Sequence, residues 1–216
     1  MKLLLNGREV DGIINKESTL GTALKIVKDR QIGDDAVISA VWVDGEPLTA
    51  DTLSRWKDRP VADFQEARVD APSKSALAAT SLRTLSEGLS ESGADREEIV
   101  EHIHQGRSTE AMKQLPGYLG IWEGVQQSLS SVGRLLDSDL NSLELFAGQN
   151  KPDQWQPTSM VDLIHDLSSK LAEIKQALEA SDLVLLGDVL DYDFADLTET
   201  WRQTLKELAE RFAGNE

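Results

Sequence analysis

Four aspartates near the C-terminus form an acidic run of potential metal ligands. They are Asp188, Asp191, Asp193 and Asp196. On a continuous α-helix their side chains would point about 0°, 300°, 140° and 80° around the axis, because each residue advances about 100°. The spacing also differs from the Asp-x-Asp-x-Asp-Gly turn of a calcium loop. We therefore interpret them as the solvated outer face of a helix, open to docking by a basic partner, rather than as a metal site.

Two carboxylate-x-x-histidine pairs have the ligand spacing with which helical bundles hold di-iron or dimanganese centres. They are Glu101 with His104 and Asp162 with His165. Metal ligands in a bundle must project inward, whereas each pair lies about 90° or more from the apolar stripe of its own helix. The remaining histidine, His102, has no visible companion. The sequence therefore predicts no metal centre and no cofactor.

Catalytic motifs are absent from the sequence. It contains no Gly-x-Ser-x-Gly elbow, no phosphate-binding loop, no dinucleotide fingerprint and no His-Glu-x-x-His zinc motif. With 3 histidines and 0 cysteines, a nucleophile and its base would have to come from side chains on helix surfaces. We expect no catalytic residues and no enzymatic activity. A metal-dependent enzyme using the carboxylates and histidines is the least favoured alternative.

The formal net charge is −16, and most of it lies in the C-terminal two thirds. Residues 1–74 contain 11 Lys and Arg against 13 Asp and Glu, a net of −2, so the remainder carries 11 against 25, a net of −14. Such a surface repels phosphate backbones and anionic lipids. We therefore expect neither nucleic acid nor membrane as a partner, and favour a basic protein surface.

The sequence also favours a cytoplasmic protein. The lack of cysteine fits a reducing compartment. The early run of three leucines is too short for a signal-peptide core, and no segment has the ~20 apolar residues of a membrane span.

The first third of the chain begins with a predicted hairpin and a helix. Two short strands flank the pair Asn6-Gly7, which suits a two-residue turn because both positions tolerate positive φ. Ser18 is expected to cap a helix whose apolar residues recur at helical spacing.

Three further strands are predicted before the first domain ends. Residues 36–43 are apolar on both faces, which indicates a central strand with Trp42 buried. After an Asp-Gly turn, Pro47 confines the next short strand to an edge of the sheet. A short turn and a last strand over residues 63–69 follow.

This order of two strands, a helix, two strands, a short turn and a strand resembles the ubiquitin-like β-grasp fold. The local match is carried by Val-Asp-Gly-Glu-Pro-Leu at residues 43–48 and Thr-Leu-Ser-Arg-Trp at residues 52–56. The resemblance covers about the first 70 residues, one domain's worth, and implies a recognition or docking module. A small domain that only packs on the rest is the alternative, since a fold does not fix a function.

The middle of the sequence predicts helices. The first is expected to end at Gly93, and Asp95 with Glu98 has the spacing of a capping box that opens the next. A third helix begins at Ser108, and Pro116 is expected to break or kink it. Beyond the proline, apolar positions recur three and four residues apart at Trp122, Val125, Leu129, Val132 and Leu136.

The last third predicts a long loop and a helical hairpin. Residues 146–159 show no period and contain Trp155, which could anchor a partner or fold back to cap the bundle. The apolar stripes over residues 160–178 and 183–212 are out of phase with each other. A tight turn at residues 180–182 is therefore expected.

Together these features predict an α+β protein with a β-grasp domain over residues 1–72 and an acidic antiparallel helical bundle over residues 73–216. We expect a non-catalytic adaptor or chaperone-like protein that holds another, possibly basic, protein. The bundle is faintly like the small helical chaperones of flagellar export, through its amphipathic hairpin and residues 106–111. A self-assembling structural protein, with the hairpin pairing between copies, is the second hypothesis. The candidate partner contacts are Trp155, Asp188, Asp191, Asp193 and Asp196.

Overall fold

A computed structural model describes residues 1–12, 15, 18–145 and 158–214 of the chain. The chain divides into two units, Met1–Leu77 and Ala78–Glu216, and each has its own apolar core. The first is built on a five-stranded sheet, and the second consists largely of helices that pack against one another. The predicted α+β class is confirmed.

The sheet of the first unit is mixed, with a parallel pair near its centre. Its strands are β1 Lys2–Leu5, β2 Arg8–Glu9, β3 Ala40–Val43, β4 Glu46–Pro47 and β5 Glu66–Asp70. In the order β2-β1-β5-β3-β4, β1 runs parallel to β5 and the other neighbouring strands are antiparallel. This sheet and its helices are compatible with a β-grasp-like fold.

The predicted turn between β1 and β2 is confirmed, and its asparagine also links the turn to the end of β5. Asn6 and Gly7 have positive φ values of 49° and 78°. The Asn6 amide nitrogen donates to the Ala71 carbonyl at 3.0 Å, and its amide oxygen accepts from the Ala71 N–H at 2.7 Å. The first hairpin is thereby fastened to the residue that follows β5.

A helix and a short helical segment complete the core of this unit. They are α1, Leu20–Gln31, and α2, Ala50–Trp56, where only a short turn was expected. Trp56 packs against Phe64 with ring centroids 5.8 Å apart. The buried apolar cluster comprises Leu3, Leu20, Val27, Val43, Phe64, Ala67, Val69 and Ala71.

The helix α1 is capped one residue later than predicted. Thr19, not Ser18, is the N-cap, and its hydroxyl accepts from the Thr22 N–H at 3.3 Å. Ser18 instead lies beside the loop before β5, where its carbonyl accepts from the Val61 N–H at 2.9 Å.

The predicted strand over residues 36–43 is shorter than expected. Only its second half joins the sheet, because residues 36–39 lie along the chain that leaves β5 toward Pro72, and proline has no N–H to continue a ladder. The Val37 N–H donates to the Pro72 carbonyl at 3.1 Å, and the Val37 side chain is 36% exposed.

The prediction that Trp42 is buried is wrong. Its neighbour Val43 and the paired Ala67 point into the core, so strand alternation places Trp42 and its partner Arg68 on the opposite face of the sheet. Trp42 is half-buried there, under the Arg68 guanidinium carbon at 4.7 Å from the ring centroid.

Helix α3 runs without interruption over Lys74–His104. The predicted end at Gly93 and the new start at Asp95 are therefore wrong. The buried stripe continues on both sides of Gly93, but several of its members around the glycine are small or polar, which hides the period from a search for apolar residues. These members are Ser86, Ser92 and Arg96. Packing of the whole stripe offsets the cost of a helical glycine, about 1 kcal/mol.

Helix α4, Ser108–Leu136, likewise continues through Pro116, so the predicted break is absent. A proline in a helix interior costs about 3 kcal/mol through a lost hydrogen bond and a steric clash. Buried residues with helical spacing lie on both sides of it and offset this cost. They are Ala111, Leu115, Tyr118, Trp122, Val125, Leu129 and Val132, which include most of the predicted stripe.

The predicted hairpin turn at residues 180–182 is confirmed. Helix α5 covers Met160–Ala180, and Ser181 follows it in the left-handed conformation with φ 55°. The Asp182 carboxylate then accepts from the N–H groups of Val184 and Leu185 at 3.1 and 2.9 Å and opens the next helix.

The long loop predicted over residues 146–159 lies mostly outside the described residues. Its described end belongs to a small antiparallel pair, in which β6, Glu144–Leu145, faces β7, Thr158–Ser159.

A cluster of aromatic rings joins α4 to the last helical run, which covers residues 183–213, in the core of the second unit. The Trp122 ring meets Phe194 at 5.7 Å and Trp201 at 6.4 Å between centroids, both edge to face. Tyr118 meets Phe194 at 6.0 Å. Since Trp122, Phe194 and Trp201 are fully buried, this cluster fixes the packing of the two elements.

Among the described residues, no helix combines the length and the apolar character needed to cross a membrane.

Replacing Trp122 by alanine should lower the free energy of unfolding by about 3–5 kcal/mol, because it removes a fully buried indole from this cluster. Urea unfolding followed by circular dichroism measures the change. Val161→Ala, at a side chain that is 52% exposed on α5, is the control and should change stability by less than about 0.5 kcal/mol. Equal effects of the two substitutions would contradict the assigned core.

Candidate functional site

The last helical run contains a π turn, and this turn decides where its acidic residues point. Helix α6, Leu183–Asp188, passes into the π turn Val189–Asp193 and then into α7, Phe194–Ala213. The Phe194 N–H donates to the Val189 carbonyl, five residues back rather than four. Each residue of a π turn therefore advances about 80° instead of about 100°.

The sequence-based angles of the four aspartates are wrong because they assumed a continuous α-helix. With the π turn included, Asp188 and Asp196 point within about 20° of each other, and both are exposed. Asp191 and Asp193 lie on opposite flanks of the run and are half-buried. The structure thus divides the four candidates into two outward carboxylates and two flanking ones.

Asp191 is engaged with α3. The Arg96 guanidinium donates through Nη1 to the carbonyls of Leu190 and Asp191 at 2.9 and 2.7 Å. The same nitrogen lies 3.9 Å from the Asp191 carboxylate. Asp191 is therefore an internal ion-pair partner in this conformation.

Asp193 is engaged with α5 on the other flank. The Lys170 ammonium lies 3.2 Å from the Asp193 carboxylate and 3.0 Å from that of Glu173. The pKa of Lys170 is raised, mainly by its hydrogen bond to Glu173; burial opposes the rise, and Asp193 adds to it. Asp193 therefore fixes the π turn to α5.

The outward face of this run alternates apolar and acidic side chains. Val184 is 74% exposed and Tyr192 is 68% exposed, and Asp188 and Asp196 lie between and beyond them. The spacing is four residues throughout, and the π turn brings all four side chains within about 40° around the axis. We call Val184, Asp188, Tyr192 and Asp196 the outer stripe.

The chemistry of the outer stripe suits recognition of a protein. Within the part of the chain that the structure describes, neither Asp188 nor Asp196 forms an ion pair, so both carboxylates are open to an external cation. Tyr192 offers an aromatic ring with a polar tip, which is the kind of side chain that dominates many interfaces. Val184 and Tyr192 are not among the candidates predicted from the sequence, although they share a four-residue spacing with Asp188 and Asp196.

The carboxylate-x-x-histidine pairs face outward as predicted. Glu101 and His104 are exposed on α3, and Asp162 and His165 are exposed on α5. Among the described residues, no three His, Asp or Glu side chains are grouped so that they could hold a metal ion. Asp162 instead caps the N-terminus of α5. Its carboxylate accepts from the Ser159 N–H at 3.1 Å, in a capping box with that serine.

His102 corrects the expectation that every histidine lies on an outward face. It is only 8% exposed, on the buried side of α3 beside Ile103. Its Nε2 lies 3.6 Å from the Glu98 carboxylate, whereas its Nδ1 makes no hydrogen bond to any described residue.

Trp155, the remaining sequence-based candidate for partner contact, lies outside the described residues.

Two family models match the chain, one for each part. The model described as "TP0873 N-terminal domain" matches residues 1–72. The model described as "Domain of unknown function (DUF8042)" matches residues 80–204, a range that includes Arg96, Lys170 and the outer stripe.

A similar protein is known from Treponema pallidum (strain Nichols), where it is described as an "Uncharacterized protein". It is 22% identical over 197 residues, which cover 90% of this chain and 91% of the relative. No solved structure matches the chain.

Replacing Lys170 by methionine should remove one component of the stability at alkaline pH. Since the pKa of Lys170 is raised in the folded protein, its stabilising effect is complete below the unfolded-state value of about 10.4 and is lost as pH rises through the folded-state pKa. Urea unfolding between about pH 9 and pH 12 should therefore show a shallower decline for Lys170→Met than for the wild type.

Lys175→Met is the matched control on the same helix, because Lys175 makes only an exposed contact with Glu179 at 3.8 Å. Parallel stability curves for Lys170→Met and the wild type over the whole range would contradict the assigned ion pair.

Proposed function

The chain belongs to the DUF8042 family, whose description is a domain of unknown function, and we propose that it is a non-catalytic, cytoplasmic adaptor or chaperone-like protein. It holds a basic partner protein through the outer stripe. The supporting observation is the alternation of exposed apolar side chains and open carboxylates along one face of the last helical run.

The apolar members of the outer stripe supply the area that a partner would bury. An isolated exposed hydrophobic residue is ordinary on a protein surface. Here Val184 and Tyr192 share one face and lie about two helical turns apart, so one partner element can cover both. Tyrosine is also among the residues that most often contribute strongly to binding.

The acidic members of the outer stripe define the charge of the partner. Residues 75–216 carry 11 Lys and Arg against 25 Asp and Glu, a net of −14, so a cationic surface is drawn to this unit from a distance. At contact, Asp188 and Asp196 each require a lysine or arginine, because a carboxylate covered without one is strongly unfavourable. A basic helix or strand with interspersed apolar residues meets both requirements.

The first unit serves in this proposal as a docking module of the ubiquitin-like β-grasp kind. The likeness of the bundle to flagellar export chaperones receives no added support from residues 106–111. Gly106 has φ 72° and Ser108 begins α4, so this segment is explained as the turn between α3 and α4. The chaperone-like part of the proposal therefore rests on the outer stripe.

A photoreactive phenylalanine analogue at position 192, expressed in the native host, should cross-link the partner. We expect a discrete adduct whose partner is a basic protein. Adding Val184→Ser should weaken the adduct, as should Asp188→Asn with Asp196→Asn. Each change should weaken binding about tenfold, since it removes a contact worth more than about 1 kcal/mol.

The matched controls lie on α5. The same analogue at position 161 replaces a valine that is 52% exposed, and Asp166→Asn neutralises an exposed aspartate. Neither should give or weaken the adduct. An identical set of adducts from positions 161 and 192, or a yield unaffected by loss of both stripe carboxylates, would exclude the outer stripe as the binding surface.

Self-assembly through the outer stripe is disfavoured by its own pattern. In an antiparallel pair of copies, Asp188 would face Tyr192 and Asp196 would face Val184, so carboxylates would be covered without a cation. In a parallel pair, carboxylate would face carboxylate. We expect light scattering at micromolar concentration to show a monomer. A dimer that Val184→Ser with Tyr192→Ser dissociates would favour the structural alternative.

A further inference from the structure

We propose that Arg96 is a positioning residue, which holds the π turn and thereby sets the alignment of the outer stripe. The consequence for binding rests on the proposed function, whereas the consequence for helix geometry does not.

Arg96 is a buried charge whose donors are directed at the main chain of the π turn. The residue is 8% exposed, and Nη1 donates to the carbonyls of Leu190 and Asp191 at 2.9 and 2.7 Å. The carboxylates of Asp191 and Glu97 lie 3.9 and 3.6 Å from the guanidinium. The charge is therefore met by two main-chain dipoles and two carboxylates, which a buried cation requires.

A π turn creates the carbonyls that such a cation can satisfy. When the Phe194 N–H bonds to the Val189 carbonyl, the hydrogen-bond ladder is shifted by one residue, and carbonyls in the turn lose their usual partner four residues on. The Nη1 amino group of Arg96 has two N–H donors, so it can serve two neighbouring carbonyls at once.

The approach of α3 to this turn is close enough for the bond to form. A Cβ added at Gly187 would lie 3.3 Å from a methyl carbon of Ile103, so this glycine, two residues before the π turn, permits tight packing on α3. Arg96 lies two helical turns before Ile103 on the buried side of the same helix.

Without the π turn, the four residues of the outer stripe would not share one face of the helix. In a continuous α-helix, Val184, Asp188, Tyr192 and Asp196 would spread over about 120° instead of about 40°. Tyr192 and Asp196 would rotate away from Val184 and Asp188, and a single partner element could not reach all four. Arg96, which is buried and is not a member of the outer stripe, therefore determines its shape.

The chain has no cysteine, so a pair of introduced thiols can report the geometry. Asp188→Cys with Asp193→Cys places thiols five residues apart, about one turn of a π-helix but well off one turn of an α-helix. A short thiol-to-thiol cross-linker should join them efficiently. Arg96→Met in this background should lower the yield about tenfold, since it removes charge-assisted hydrogen bonds. In a chain that keeps all four aspartates, Arg96→Met should also weaken the adduct from position 192.

Two further variants separate positioning from a general loss of folding. Arg83→Met makes the same change at an exposed position of α3 and should alter neither readout. Deleting Asp191 converts the π turn to an α turn and leaves the outer stripe in line, with residues 188 and 193 one α-helical turn apart. In this deletion background, Arg96→Met should keep the cross-link and the adduct from position 192.

If the deletion of Asp191 restores the cross-link in Arg96→Met, the positioning role is supported. This holds even if Arg96→Met alone does not fold. Full cross-linking in Arg96→Met overturns the inference, as does failure of the deletion to restore the cross-link. A different result is expected if the outer stripe is not the binding surface but Arg96 does hold the π turn. The adduct from position 192 would then be insensitive to the stripe substitutions, while the thiol cross-link would still respond to Arg96.

Discussion

A guanidinium held away from water must be surrounded by acceptors, and for Arg96 the nearest acceptors are two carbonyls of the π turn. This constraint couples α3 to the last helical run at a point where the main chain departs from α geometry. All residues of α7 are therefore rotated about the helix axis relative to their positions in a continuous α-helix. The buried stripe of α7, from Phe194 through Trp201 to Phe212, and the outward direction of Asp196 both follow from it.

The last helical run therefore has four distinct sides, and each has a different physical role. Its apolar side packs in the core, where Phe194 and Trp201 contact Trp122. Its two flanks carry Asp191 toward Arg96 on α3 and Asp193 toward Lys170 on α5. Only the fourth side is left to solvent. A helix fixed on three sides presents the fourth as a rigid surface, which reduces the entropy lost when a partner binds.

Sequence analysis succeeded where local signals decide the structure. The Asn6-Gly7 turn, the stripe from Trp122 to Val132 and the phase break at residues 180–182 all follow from short-range patterns. It failed at α3, because polar side chains such as Arg96 occupy buried positions there. It also failed at the π turn, because the donor that stabilises Leu190 lies 94 residues away in the chain. The alignment of Tyr192 with the stripe aspartates depends on that distant contact and could not be read from spacing alone.

The pairing of β1 with β5 sets the order in which the first unit can be completed during synthesis. Lys2–Leu5 lie beside Glu66–Asp70, and the Asn6 side chain is held by Ala71. The first hairpin must therefore wait, with one strand edge open, until nearly the whole unit has left the ribosome. The helices of the second unit each form from local contacts as they emerge. Although it is synthesised first, the sheet requires pairing between strands that are far apart in the sequence. Its open edge is therefore the part of the nascent chain most exposed to mispairing.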